Sequence, residues 1–183
     1  FIGATSDGIT TLLGRGGSDF TAAIVAAGIQ AKELEIWSDV NGMLTANPRV
    51  VPTARTIERL SYNEAFELSH FGAKVLYPPA IHPAYHQGIP LILKNTFEPS
   101  HPGTRIDHIS RSTEKIIQGM TSINDITLIN LTGIGMVGVA GYSGRIFSAL
   151  HQVGVNVVVI AQSCSERGIC VAVSDEDAHK AEV

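Results

Sequence analysis

The sequence predicts an α/β chain in two parts. A mostly parallel sheet covered by helices on both faces comes first, followed by a smaller β-α-β-β-α unit, a split βαβ lacking its final strand. Three observations carry this reading. Short apolar runs alternate with segments of helical spacing through the first part of the chain. A stretch over 97–115, with Pro99, Ser100, His101, Pro102, Gly103 and a mixed-charge run to Lys115, interrupts that alternation. Beyond it, β-branched runs and amphipathic segments resume in a different order. We place the first part at 1–106, a linker at 107–118 and the second part at 119–183.

In chain order, residues 1–12 read as a strand and loop leading to Leu13-Gly14-Arg15-Gly16-Gly17-Ser18-Asp19. An Ala-rich helix follows over 20–31, with Ala22, Ala23, Ala26, Ala27 and Ile29 near helical spacing and Ser18 or Asp19 as N-cap. Leu34 to Trp37 is a short strand, and Ser38-Asp39 stands at its end before the Asn41-Gly42 turn. The carboxyl end of such a strand is where open α/β sheets bind ligands. Pro48 and Pro52 break the chain into a loop that carries Arg49. Ser61-x-x-Glu64 is a capping box for a helix through His70. Phe71 to Leu76 then redirects the chain and carries Lys74. Pro78-Pro79 opens a short helix near 80–87, and Leu91 to Asn95 is a buried-type strand.

In the second part, Ile126 to Leu131 alternates as a strand. Gly133, Gly135, Gly138 and Gly141 make a loop, and Gly144 to Val153 is a helix with Ile146, Phe147, Leu150 and Val153 on one side. Gly154 suits the position just past its end. Val155 to Ala161 and Gly168 to Val173 are strands, and Ser174 or Asp175 caps a last helix.

Composition narrows the function. At 183 residues and 44% hydrophobic, the chain can bury a sizeable core. The net charge of -4 gives no electrostatic case for nucleic acid. No apolar run is long enough to span a bilayer, and no signal peptide is present. Cys164 and Cys170 read as buried free thiols of a reducing compartment, which places the protein in the cytoplasm; neither has further ligands at metal spacing. His82 and His86 share a helix face, but no H-E-x-x-H surrounds them, so no metal site is assigned. Phe1 to Ala4 reads as the interior of a strand with no Met before it, and Ala178 to Val183 as a helix cut short. We therefore read the chain as a piece of a longer protein.

The stretch around Gly14 is the candidate site. Glycines at 14, 16 and 17 let the backbone approach an anion, and the helix that follows presents free N–H groups and a positive dipole end. Arg15 adds a planar fork suited to a carboxylate or phosphate. Asp19 can steer a metal or a cationic side chain. The stretch is neither G-x-x-x-x-G-K-[ST] nor G-x-G-x-x-G, so taken alone it also reads as an ordinary turn before a helix.

Several separated motifs together resemble the aspartate kinases: Leu13 to Asp19, Trp37-Ser38-Asp39-Val40, Asn47-Pro48-Arg49 and Phe71-Gly72-Ala73-Lys74-Val75-Leu76, in this order and spacing. Ile160-Ala161-Gln162-Ser163 resembles their regulatory ACT domain. Tyr77-Pro78-Pro79 and Gln162-Ser163-x-Ser165-Glu166 are similar to the bifunctional aspartokinase–homoserine dehydrogenases. The resemblance implies the amino-acid-kinase (carbamate-kinase-like) fold, here its nucleotide-binding half, followed by an incomplete ferredoxin-like ACT domain. It implies phosphoryl transfer from ATP with Mg2+ to the side-chain carboxylate of L-aspartate. By motif, Arg15 would clamp the substrate carboxylate, with Gly16, Gly17 and Ser18 assisting. Asp19 would organise a catalytic Lys supplied from a Lys-Phe-Gly-Gly motif that lies outside this chain, so the isolated chain is expected to be inactive. Ser38 and Asp39 would contact the nucleotide, Lys74 and Val75 would line its pocket, and Arg49 would approach its phosphates.

Three positions depart from the family pattern. Leu12 stands where a Thr is usual, Leu44 where an aromatic ring is usual, and Asn47 where an Asp is usual. In the ACT-like part, Asn156-Val157-Val158 lacks the acid that follows in lysine-sensing members. Gln162 with Ile160 instead resembles the threonine-sensing pattern, and Asn156, Ile160 and Gln162 would bind the effector. The resemblance thus implies threonine as effector and a homodimer or higher assembly through ACT domains, with no nucleic-acid or membrane partner. The rival reading is a non-catalytic amino-acid-sensing or dimerisation module with a degenerate kinase lobe.

Overall fold

The computed structural model describes residues 2–73, 75–108, 117–133, 135, 138–162 and 168–182. The chain forms two compact units, Phe1–Ser122 and Ile123–Val183. Lys74, Cys164 and the Ser163–Glu166 part of the ACT-like motif lie outside the described residues.

The first unit opens with an exposed antiparallel hairpin, β1 (Ile2–Ala4) with β2 (Thr10–Leu12). Helix α1 (Gly17–Gly28) follows. Its N-cap is Gly16, and not Ser18 or Asp19 as the pattern suggests. Gly16 sits at φ 74°, left-handed backbone that a glycine adopts without strain, so the helix starts early. Asp19 then lies in the first turn, where its charge suits the helix dipole. Gly17, Ala23 and Ala26 are buried in α1, and these small residues let the helix lie close to the core.

Strand β3 (Leu34–Ser38) leads through the 39–58 loop to β4 (Arg59–Ser61). Helix α2 (Tyr62–His70) is held by the expected capping box: Ser61 Oγ accepts from the Glu64 N–H, and Glu64 Oε2 accepts from the Ser61 N–H at 2.7 Å. A 3-10 turn at Pro78–Ala80 feeds α3 (Ile81–Gln87), which stops at Gly88 in left-handed backbone. Strand β5 (Leu91–Asn95) and β6 (Thr104–Asp107) complete the sheet in the order β3-β5-β6-β4.

Two of the three pairings in that sheet are parallel, β3 with β5 and β4 with β6; β5 and β6 run antiparallel. Strand β6 falls in the 97–115 stretch that composition marks as a linker. It is short and half charged, and it exists because it pairs on both sides: Ile106 is fully buried opposite Leu91. The core gathers Ile36, Met43, Leu60, Leu91, Leu93 and Ile106 from the sheet and the 39–58 loop with Tyr62, Ala65, Leu68, Ala80, Ile81 and Ala84 from the helical side.

The second unit is antiparallel throughout: β7 (Ile126–Thr132), β9 (Gly168–Ser174) and β8 (Val157–Gln162) in the order β7-β9-β8. Helix α4 (Tyr142–Gln152) starts two residues earlier than its apolar stripe suggests, again from a left-handed glycine, Gly141. Gly154 at φ 71° ends it as expected. Helix α5 (Asp175–Ala181) has Ser174 as N-cap, but the Ser174 hydroxyl donates to the Asp177 carboxylate at 3.1 Å and makes no cap bond to the backbone. Leu150, Val155, Ile169, Val171 and Val173 form a small core. Cys170 is a half-buried free thiol.

Candidate functional site

The glycine loop is built as a donor surface. Gly14 and Gly16 both have φ 74°, and the Gly17 N–H donates back to the Gly14 carbonyl at 3.3 Å, which folds the loop onto itself. No side chain caps α1. The first intrahelical bond runs from the Phe20 N–H to the Gly16 carbonyl at 3.2 Å, so the Ser18 and Asp19 N–H groups precede the ladder. Arg15 and Ser18 are exposed, and Gly17 is buried. An anion here meets uncapped backbone donors, a helix dipole and a guanidinium.

Asp19 faces inward instead. Its Oδ2 accepts the Tyr77 N–H at 3.4 Å, and its Oδ1 accepts from the Ser18 hydroxyl at 3.3 Å. Tyr77 lies two residues after the half-buried Val75. The fold thus joins the 13–19 loop to the 75–77 segment, two stretches that the sequence motifs assign to different ligands. The Tyr77-Pro78-Pro79 motif marks Tyr77 in the sequence but not this contact, whose partner is 58 residues away.

The carboxyl ends of the parallel strands β3 and β5 form the second part. Ser38 is half-buried and registers with Asn95. Its hydroxyl accepts the Val40 N–H at 3.4 Å, and its carbonyl accepts the Thr96 N–H at 2.8 Å. Asp39 is exposed beside it. A chain of side-chain bonds knits this end together. The buried Asn95 amide donates to Asn41 Oδ1 at 2.7 Å, and the Asn41 amide donates to Glu98 at 3.0 Å. Below it, the fully buried Thr104 hydroxyl accepts the Met43 N–H at 2.8 Å and donates to the Ile57 carbonyl at 2.7 Å. Asn41, Asn95, Glu98 and Thr104 escape sequence reasoning because their partners lie 47 to 61 residues away.

The exposed Arg49 stands on a tight turn whose geometry tolerates one family departure. Asn47 Oδ1 accepts the Arg49 N–H at 3.0 Å, a bond that an aspartate accepts in the same way. Leu44 is held by a bridge to Thr56. Lys94 on β5 lies 4.7 Å over the Trp37 ring and 3.4 Å from Glu35.

In the second unit, a cavity of about 340 Å³ lies against Gly138–Ser143, Gln162 and Ile169. It brings the glycine loop and Gln162 together. Asn156 and Ile160 are exposed and stand outside its lining. Among the described residues, no group of three or more His, Cys, Asp or Glu side chains could hold a metal, and no helix is long and apolar enough to cross a membrane.

The model of the amino acid kinase family matches residues 1–95, and an ACT-domain model matches 129–182. A bifunctional aspartokinase/homoserine dehydrogenase of Haemophilus influenzae is 44% identical over 98% of this chain, which spans 22% of that relative's length. The crystal structure of E. coli aspartokinase III in complex with aspartate and ADP superposes with a TM-score of 0.82 at 33% identity, covering 95% of this chain and 38% of that one. The same enzyme in complex with lysine and aspartate gives 0.72 at 32% identity over the same shares.

Proposed function

The chain belongs to the amino acid kinase family, and from that footing we propose that the protein carrying it is an aspartate kinase regulated through its ACT domain. The reaction moves the γ-phosphoryl group of ATP to the side-chain carboxylate of L-aspartate, giving 4-phospho-L-aspartate and ADP. One observation carries the reading: a glycine loop with an exposed Arg15, closing onto the uncapped N-terminus of α1, in a chain similar to an enzyme solved with aspartate and ADP.

Each residue has a task in this account. Arg15 forks onto a carboxylate of the substrate, and Ser18 with the loop N–H groups supplies further donors. Asp19 fixes the loop and orients a lysine contributed from outside these residues. Ser38 and Asp39, at the knitted end of β3, take the nucleotide, with Lys74 and Val75 along its pocket and Arg49 toward its phosphates. Mg2+ suits this donor set, because it takes one or two carboxylates plus phosphate oxygens, and Asp39 is exposed where the nucleotide would lie. The ion would supply charge neutralisation on the phosphates. The protein contributes positioning and fixed donors. Without the outside lysine, the 183 residues alone form no product.

The cavity beside Gln162 is the proposed effector site, with threonine as ligand, and ACT domains pair two copies. The composition suits a cytoplasmic enzyme. The test traps the acyl phosphate with hydroxylamine, using full-length protein, ATP and aspartate. Aspartyl hydroxamate that falls when threonine is added is the expected result. No hydroxamate from folded protein defeats the kinase reading; hydroxamate that only lysine suppresses defeats the threonine assignment.

A further inference from the structure

We propose that Tyr77 is a positioning residue that locks the acceptor-carboxylate loop onto the nucleotide segment, an inference resting on the aspartate kinase reading above. Three contacts converge on it. A Cβ on Gly16 would fall among the Cβ, Cγ and Cδ2 atoms of Tyr77, so the ring occupies the space that any side chain at position 16 needs. The Tyr77 N–H donates to Asp19 Oδ2 at 3.4 Å. The ring also meets Phe20 edge-on, with centroids 6.5 Å apart and planes at 79°. The loop between Gly14 and Asp19 is therefore pinned at its tip by the ring and at its helical end by the amide.

Tyr77 is itself held from both sides. Leu76 before it is buried in the core, and the Ala80 N–H donates to the Tyr77 carbonyl at 2.9 Å as Pro78–Ala80 turn into α3. A segment fixed this way transmits its position to the loop it touches. Val75 sits two residues earlier in the same fixed segment, so one anchor sets the distance between the acceptor and nucleotide ends of the site. Phosphoryl transfer depends on that distance, since reaction needs the two reacting atoms held in line at close range. None of the three contacts uses the phenol hydroxyl, so phenylalanine should do the same work.

The experiment uses the full-length protein and the hydroxamate assay, with Tyr77→Ala, Tyr77→Phe, Gly16→Ala and the Gly16→Ala/Tyr77→Ala double variant. Tyr77→Ala is expected to raise KM for aspartate on the order of tenfold, more than KM for ATP, and Tyr77→Phe to restore both. In thermal unfolding, Gly16→Ala should lower Tm less in the Tyr77→Ala background than in wild type, because the overlap with the ring atoms is gone and only the Cβ contact at position 77 and the backbone strain remain. An equal rise in both KM values, a Phe variant as impaired as the Ala variant, or additive Tm changes overturns the proposal. The unfolding cycle needs no activity. If wild-type protein makes no hydroxamate, the kinase reading fails in that arm, while an additive or coupled cycle still decides against or for the lock.

Discussion

The two units use the same local ingredients and bury them differently. In the first, β5 reads Leu91, Leu93 and Asn95 to a core that α1, α2 and α3 complete, and Leu60, Leu91, Leu93 and Ile106 are at most 1% exposed. In the second, Val171 and Val173 are fully buried, yet Leu128 on β7 is 65% exposed and Val159 on β8 48% exposed. A cavity of about 530 Å³ opens beneath α4 and α5, lined by Ile129, Leu131, Ile146, Leu150 and Val171, beside one of about 420 Å³ along α1 in the first unit, lined by Ala22, Val25, Ala26 and Ile29. An apolar alternation is enough to specify a strand; it does not specify how much covers that strand. Both units leave apolar surface open, as at Phe97, 80% exposed, in the first, but the first closes the larger core.

Truncating one fully buried position in each core exposes this contrast most strongly. Leu93→Ala, in the closed core, should cost about 2–5 kcal/mol. Val171→Ala removes less apolar volume and borders a cavity into which neighbours can relax, so about 1–2 kcal/mol is expected. Urea unfolding of the two variants checks the order. Equal losses would mean that the cavity does not soften the second unit.

Titration sharpens the same contrast by a smaller amount, because the two units are sensitive at opposite ends of the pH scale. Burial, and then the Asp107 charge, push the Tyr62 phenol up to about 12, against a weaker opposing effect of Arg105. Between about pH 10 and that value the unfolded state ionises while the folded state stays neutral. The unfolded state then binds fewer protons, and stability falls as pH rises. Tyr62→Phe should flatten the fall in that window. At neutral pH it should lose about 1 kcal/mol with the 2.7 Å bond from the Tyr62 hydroxyl to the Ile89 carbonyl. In the second unit, hydrogen bonds from Lys180 and then Ser174 hold the Asp177 carboxyl below its usual range. The stability it gives is present above the ordinary carboxylate pKa and is lost as pH falls through the lowered one. The pair is exposed, so this is the smallest effect, read as the slope of Tm in acid with Asp177→Asn as the control.

Much of the fold is legible in the sequence, for physical reasons that differ by element. The Ser61-x-x-Glu64 box and the Gly154 stop are local devices, and both appear in the structure. The α1 start is misread because hydrogen-bonding side chains at Ser18 and Asp19 suggest a cap, whereas the left-handed backbone of Gly16 sets it. Thr104–Asp107 escapes because its partners, β5 and β4, lie elsewhere in the chain and its own composition is that of a loop. At the site, Arg15, Ser18, Ser38 and Asp39 are visible by type and motif. The contacts of Tyr77, Asn41, Asn95 and Thr104 are not, because each works through a partner tens of residues away.

The most direct test of the central claim is equilibrium dialysis of labelled L-aspartate against the full-length protein, wild type beside Arg15→Ala. If Arg15 and the glycine loop hold the substrate carboxylate, the variant loses roughly 10- to 100-fold in affinity, the worth of a charged hydrogen-bonded pair. Its Tm should hold, since the Arg15 side chain is exposed. Unchanged aspartate affinity in a folded Arg15→Ala protein would contradict the assignment of this loop and the function proposed from it.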